Sequence, residues 1–230
     1  ATSAEIALLR GDLLDEPTGA LIAHLAIDDT MLADSQQVRV LVFDFGGGTC
    51  DITVSSLYRA AAVAGDGQAY VNLSLLAASR YTRLGGADIN RAITHQVLIP
   101  QLEHENGIAV GSLHWSERQQ CAVALDPIAE NLKILICDDI AQAEAFGQPA
   151  DDLIATHAGV ETIEIVKRRF TLTEPKLRAA DFGKIMSQFV DPDELQPNRG
   201  EYCVIGSVLT PVRETVERAK LSNDDINYVL

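Results

Sequence analysis

Two carboxylates flank three consecutive glycines in Asp44-Phe45-Gly46-Gly47-Gly48-Thr49-Cys50-Asp51. The apolar run Val40-Leu41-Val42-Phe43 delivers Asp44, and a second β-rich run begins at Asp51. Glycines permit tight turning and let a polyanion approach backbone N–H groups closely. Carboxylates do not bind phosphate directly, but they hold Mg²⁺ or orient water beside it. With the hydroxyl of Thr49, these are groups suited to one side of a nucleoside triphosphate. The plainer reading is a glycine hairpin with capping aspartates, but a hairpin does not need a carboxylate on each side of its turn.

The rest of the chain must supply what this segment lacks. It has 230 residues, enough for one large domain or two small ones. Its 47% hydrophobic and 22% charged content is ordinary for a globular protein. Net charge is −15, from 18 basic and 33 acidic residues, which argues against a nucleic-acid or anionic-membrane surface. An anionic nucleotide would therefore need metal ions, or basic groups from another segment, to complete its charge balance. No apolar run approaches the roughly 18–20 residues that span a bilayer. The start, ATSAEIALLR, lacks a basic opening and a sustained apolar core, so no secretory signal is read. Cys50, Cys121, Cys137 and Cys203 form no CxxC pair and read as free, mostly buried thiols of a reduced cytoplasmic compartment. The five histidines show no metal-ligand spacing.

Periodicity places the elements. Asp15-Glu16-Pro17-Thr18 opens a helix running to about Ala26, and Asp28 to Gln37 reads as loop. Strands follow at about Val38–Asp44, Asp51–Ala64 and Ala69–Ser79. With Gly65-Asp66-Gly67 as the second turn they form an antiparallel meander. Gly85-Gly86-Ala87-Asp88 opens a helix with Ile89, Ile93 and Val97 on one face, bent or ended by Pro100. A longer helix covers about Ser116–Ile136, with Cys121, Leu125, Ile128, Leu132 and Leu135 as its apolar stripe and a break or kink at Pro127. The segment from Asp138 to Ala158 reads as an irregular excursion. Val160–Val166 and Arg169–Leu172 read as short strands, and Thr173-Glu174-Pro175 as a helix start. Asp191 to Gly200 reads as loop, and Tyr202 to Ala219 as a final helix with Val208, Val212 and Val216 aligned. A strand begins at Asn227–Leu230, so the chain is expected to be a truncated piece.

The segment VFDFGGGTCDITV resembles the second phosphate loop of the actin-like ATPase superfamily, and within it the seventy-kilodalton heat-shock chaperones, the DnaK-like family. Four further segments resemble that family in its order. They are Leu14–Ala20 (LDEPTGA), Thr82–Ile89 (TRLGGADI), Ala129–Lys133 (AENLK), and Val208–Val212 continuing through Ala219-Lys220-Leu221 to Val229-Leu230. The resemblance implies an α/β fold, the incomplete second lobe of an actin-like ATPase domain. Residues 1–84 and 206–230 would form a base subdomain carrying an antiparallel meander and the phosphate loop. Residues 85–205 would form an inserted, mostly helical subdomain.

By the same resemblance Asp44 and Asp51 lie near Mg²⁺, through water, and near the attacking water, while Thr49 and the amides of Gly46, Gly47 and Gly48 face the phosphates. Glu16 takes a metal-water or catalytic-water role. Its plainer reading is an acid favoured by the helix dipole. Gly85 and Gly86 pass near the nucleotide, and Glu130 and Lys133 meet its ribose and adenine. Their plainer readings are a helix-opening turn and a surface ion pair three residues apart. The chain departs from the family pattern at Cys50, where an aromatic residue is usual, and at Ile134 and Cys137, which replace an arginine and a serine of the adenosine helix. An arginine face stacks on a purine, whereas isoleucine only packs against it.

The implied function is ATP binding and hydrolysis that control client-peptide binding by a stress chaperone. The cofactors are ATP or ADP and Mg²⁺, a nucleotide-exchange factor or co-chaperone is a possible partner, and client peptides bind through a domain absent here. This chain alone is expected to lack ATPase activity. Two alternatives stand beside it: a lobe of a sugar or acetate kinase-like phosphotransferase, and a non-catalytic partner-docking module of a divergent chaperone.

Overall fold

A computed structural model of the chain describes residues 15–28, 30–32, 37–60, 70–79, 83–165, 168–190 and 207–230. The Gly65-Asp66-Gly67 turn, the Asp191–Gly200 loop, the start of the last helix at Tyr202, and Leu14, Thr82 and Cys203 lie outside the described residues. The chain divides into two compact units, one formed by Ala1–Arg83 with Thr210–Leu230 and the other by Leu84–Leu209. It is a mixed α/β chain.

In the first unit, α1 (Glu16–Ile27) begins where Asp15 caps it, its side chain accepting a hydrogen bond from the Thr18 amide at 2.9 Å. Pro17 sits in the first turn, where its missing N–H costs nothing. Strands β1 (Val38–Phe45), β2 (Cys50–Ala60) and β3 (Tyr70–Ala78) form the expected antiparallel meander. A fourth strand, β8 (Tyr228–Val229), pairs with β1 in parallel, giving the order β3-β2-β1-β8. The Leu230 N–H donates to Leu41, and the Phe43 N–H donates to Leu230. The last residues therefore do lie beside β1.

The alternation of a strand sends its side chains to two faces. Val38, Val40, Val42 and Leu57 pack on one face with Leu21 of α1 and with Met31 and Leu32. Leu41, Cys50, Ile52 and Val54 pack on the other with Val216 of α6 (Leu209–Arg218). Full burial of one such leucine or isoleucine contributes about 1.5–3 kcal/mol. Of the aligned valines expected on the last helix, Val216 is buried and Val212 is partly buried.

In the second unit, α2 (Gly86–Ile93) runs through a π-helical turn (Thr94–Leu98) into α3 (Ile99–Glu105). Pro100 neither ends nor breaks this run. A proline N–H is missing from the helical ladder, and the widened turn stands just before it. The turn shifts the buried face by one residue, so Leu98 is buried where α-helical spacing predicts Val97.

Helix α4 (Trp115–Ala145) extends nine residues beyond the expected end at Ile136. The segment read as an irregular excursion carries near its start the helix formers Ala141-Gln142-Ala143-Glu144-Ala145, and the helix stops only before Gly147, in the left-handed region at φ 64°. Pro127 lies inside α4. The carbonyl it leaves unpaired is that of Val123, and both residues are exposed, so solvent satisfies it. Ile136 is buried in the stripe where Leu135 was expected.

Strands β5 (Val160–Ile165) and β6 (Arg168–Thr173) pair as a hairpin. No helix starts at Thr173-Glu174-Pro175. Glu174 turns through a left-handed φ of 46°, and β7 (Lys176–Arg178) then pairs with β4 (Ile154–Thr156). The residue before a proline disfavours helix, which moves the start of α5 (Ala179–Val190) four residues on. No helix among the described residues is long and apolar enough to cross a membrane.

Candidate functional site

The sheet register brings Asp44 and Asp51 together. They are direct partners across β1 and β2, one pair before Phe45 and Cys50 at the hairpin end. Asp44 follows Val38, Val40 and Val42 on the α1 face, and Asp51 lies on the same face as Thr53, Ser55 and Leu57. Both carboxylates are half-buried. Like charges directly opposite on one face destabilise a sheet. Among the described residues no cation pairs with either one and no group of three or more His, Cys, Asp or Glu gathers around them.

The turn between them is closed by the Gly46 N–H donating to the Thr49 carbonyl at 2.9 Å. None of its glycines uses the left-handed region. A Cβ at Gly47 or Gly48 would meet nothing within 4 Å, and both are exposed. The hairpin backbone therefore does not require glycine at these two positions. What glycine gives there is bare, solvent-facing backbone.

Glu16 is exposed at the start of α1, the helix that packs on the Asp44–Asp51 face. No hydrogen bond or ion pair joins it to either aspartate among the described residues. Sequence reading missed three hydroxyls in this unit. Thr18, Thr53 and Ser55 are buried, and their oxygens find no hydrogen-bond partner among the described residues. Thr53 and Ser55 continue inward from Asp51 along one face of β2, so the acidic pair opens onto a polar lane. Their alternation was in the sequence, but they could not be told from ordinary strand hydroxyls there.

Cys50 lies on the opposite face, fully buried with Ile52, Val54 and Val216. Burial first, and then the charges of Asp51 and Asp44, push its thiol up to about 11. It is a packing residue. Cys121 is also buried and Cys137 is exposed, so two of the three described thiols are buried, as expected.

The remaining candidates belong to the second unit. Gly85 has an extended backbone and caps α2, its N–H donating to Asp88 at 3.0 Å. The Lys133 ammonium donates to the Gly86 carbonyl at 3.5 Å, so α4 and the start of α2 are joined at these two residues. The plain Glu130–Lys133 ion pair is not formed. Glu130 is exposed and makes no hydrogen bond or ion pair among the described residues. Ile134, at 51% exposure, and Cys137 lie one and four residues beyond Lys133. Another cluster escaped sequence reading: His157 bridges Asn131 at 3.0 Å and Glu161 at 3.2 Å, fixing α4 beside Glu130.

Comparison with known proteins finds DnaK chaperones at low identity along nearly the whole chain. The chain is 26% identical to the chaperone protein DnaK of Picrophilus torridus over 95% of its length, covering 27% of that protein. It is 26% identical to the DnaK of Prochlorococcus marinus over 95% of its length, covering 26% of that protein. It is 30% identical to the DnaK of Elusimicrobium minutum over 53% of its length, covering 16%. The chain thus spans about a quarter of the length of the relatives it matches along nearly all of its own. No family model matches it. These likenesses support a distant DnaK-like relationship.

Proposed function

We propose that this chain is the ATP-binding half of a DnaK-like chaperone ATPase, in which nucleotide turnover controls client-peptide binding by the full-length protein. The observation that carries the reading is the Asp44–Asp51 pair, two carboxylates in direct register beside a turn whose glycines the fold does not need. Such a pair works against the sheet's own stability and finds its use when a cation is present. Asp44 and Asp51 would hold Mg²⁺, and a donor set of only two carboxylates suits an ion that keeps several waters and takes its other ligands from phosphate. When bound, the ion neutralises phosphate charge.

The chain's own groups have separate tasks. The bare backbone at Gly47 and Gly48 offers N–H groups to phosphate oxygens, the Gly46 N–H holds the turn in shape through the Thr49 carbonyl, and the Thr49 hydroxyl adds a donor. Asp44 and Asp51 orient water, and Glu16 contributes a second water-orienting carboxylate from α1. Gly85, Gly86, Glu130 and Lys133 would receive the nucleoside. Phosphoryl transfer to water needs positioning and charge neutralisation more than covalent chemistry, and this chain carries only 18 basic residues against 33 acidic ones. The remaining phosphate contacts would come from the other lobe of the full-length protein. A cytoplasmic, reducing location suits the free thiols of Cys50, Cys121 and Cys137.

The test is steady-state ATP turnover by the full-length protein carrying Asp44→Asn, with folding checked by circular dichroism. Asn keeps shape and turn-capping capacity but removes the charge, and turnover is expected to fall on the order of 10²–10³-fold. Unchanged turnover in a folded variant would remove Asp44 from the site.

One observation favours a second reading, a non-catalytic docking module. Ile134 and Val123 expose apolar side chains on α4, where a nucleoside-binding helix would benefit from polar groups. A full-length protein that binds a partner through α4 with no effect of nucleotide on that binding would favour it.

A further inference from the structure

Two short antiparallel strand pairs in the second unit, the β5–β6 hairpin and the β4–β7 pair, each have an edge that one helix covers. In an antiparallel pair, alternate residues turn their N–H and C=O away from the partner strand. The Glu174 N–H donates to Gly159, so Leu172 and Phe170 of β6 bond inward while Thr171 and Thr173 face outward. The His157 N–H donates to Pro175 and the Ala179 N–H to Leu153, so Leu177 of β7 bonds inward while Lys176 and Arg178 face outward. Neither edge is met by another strand among the described residues.

Side chains of α3 and its cap meet them instead. The Gln101 carboxamide is bidentate on Lys176, its Nε2 donating to the Lys176 carbonyl at 2.6 Å and its Oε1 accepting from the Lys176 N–H at 3.1 Å. The Asn106 carboxamide does the same on Thr171, at 2.7 Å to the carbonyl and 3.1 Å from the N–H. Glu105 accepts from the Thr173 N–H at 2.7 Å. A carboxamide presents the same donor and acceptor as a peptide group. Gln101, Glu105 and Asn106, at positions i, i+4 and i+5, thus present the hydrogen-bonding pattern of a neighbouring strand without being one.

We propose that these three side chains act as a stand-in strand that keeps the β6 and β7 edges from pairing with the same edges of a second copy of this chain. An exposed edge is a template for another strand, and a second copy brings a matching edge. The basic side chains flanking these edges add little repulsion of their own, since Arg168 pairs with Glu117, Arg169 with Glu164 and Lys176 with Glu174. The protection therefore rests on the groups that occupy the edge N–H and C=O groups.

The test uses the full 230-residue chain carrying Gln101→Ala with Asn106→Ala. Hydrogen exchange at the Thr171 and Lys176 amides is expected to speed up about three- to tenfold, while the inward-facing Leu172 and Leu177 amides stay unchanged. Sedimentation velocity is expected to show concentration-dependent association. Unchanged exchange at Thr171 and Lys176 would overturn the stand-in role. Faster exchange with a strictly monomeric variant at all salt concentrations would overturn the second-copy interface. If the double variant does not fold, Gln101→Glu serves. Its carboxylate still accepts from the Lys176 N–H but cannot donate to the carbonyl, so Lys176 is expected to remain protected. Loss of protection there would contradict the assignment.

Discussion

The two units place their polar groups by different means. In the first, backbone register does it: a continuous β1–β2 ladder sets Asp44 against Asp51, and nothing but strand alternation decides which face they share. In the second, side chains bonded to backbone do it: Gln101, Glu105, Asn106 and Glu103 from one short helix hold loops and strand edges that have little ladder of their own. Register is a property of local sequence, while a side chain reaching a backbone group 65 or 75 residues away is not. The first kind of site tolerates isosteric change and responds to charge. The second responds to loss of hydrogen-bonding groups.

The comparison is broken most severely at Glu103. Its carboxylate is fully buried, accepts from the Gly111 and Leu113 N–H groups at 2.8 and 3.3 Å, and faces Arg118 at 3.8 Å. Glu103→Ala strands those donors and a mostly buried guanidinium, and a loss of about 3–5 kcal/mol in unfolding free energy is expected. Urea unfolding measures it, and a loss below about 1 kcal/mol would show that side chains do not hold the second unit together as described.

A smaller effect comes from pH. Burial first, and then the charges of Arg118 and Arg91, hold His95 below its ordinary value. In the unfolded chain His95 takes a proton below about pH 6.5, while in the folded chain it resists doing so. Its neutral form therefore supports the fold above that pH, and the support is lost as pH falls from there toward the depressed folded value. Unfolding midpoints at pH 7.5 and 5.5 are expected to differ less in His95→Gln than in the unaltered chain. An equal difference in both would remove His95 from the account.

The thiols sharpen the contrast without changing stability. Cys50 and Cys121 are buried, with thiols pushed up to about 11, while Cys137 is exposed. Alkylation of the folded chain at pH 8, followed by peptide mapping, is expected to modify Cys137 and spare Cys50 and Cys121. Rapid labelling of Cys50 would show that the sheet face behind the acidic pair is not closed.

The same division explains what could be read from sequence. The meander was legible because two β-rich apolar runs flank a glycine turn, and the register around that turn sets Asp44 opposite Asp51. Cap chemistry located the start of α1 at Asp15-Glu16-Pro17. The end of α4 was not legible because an acidic, small-residue-rich segment also suits a loop, although Ala141 to Ala145 favour helix. The π turn before Pro100 moved burial from Val97 to Leu98, since a single wide turn shifts the helical period without any marker residue. The Glu174 turn placed a strand where a proline-led helix start was expected. Gln101, Asn106, Glu103 and the His157 bridge left no trace in spacing, because each depends on tertiary contacts.

The most direct test of the acidic pair is a stability measurement on Asp51→Asn in this chain. If Asp44 and Asp51 repel across the ladder, removing one charge should stabilise the chain in Mg²⁺-free buffer by about 0.2–1 kcal/mol. Added Mg²⁺ should then raise the unfolding midpoint of the unaltered chain and leave that of the variant unchanged. A variant that is less stable than the unaltered chain without Mg²⁺, and equally responsive to it, would show that the two aspartates cap a turn and hold no cation.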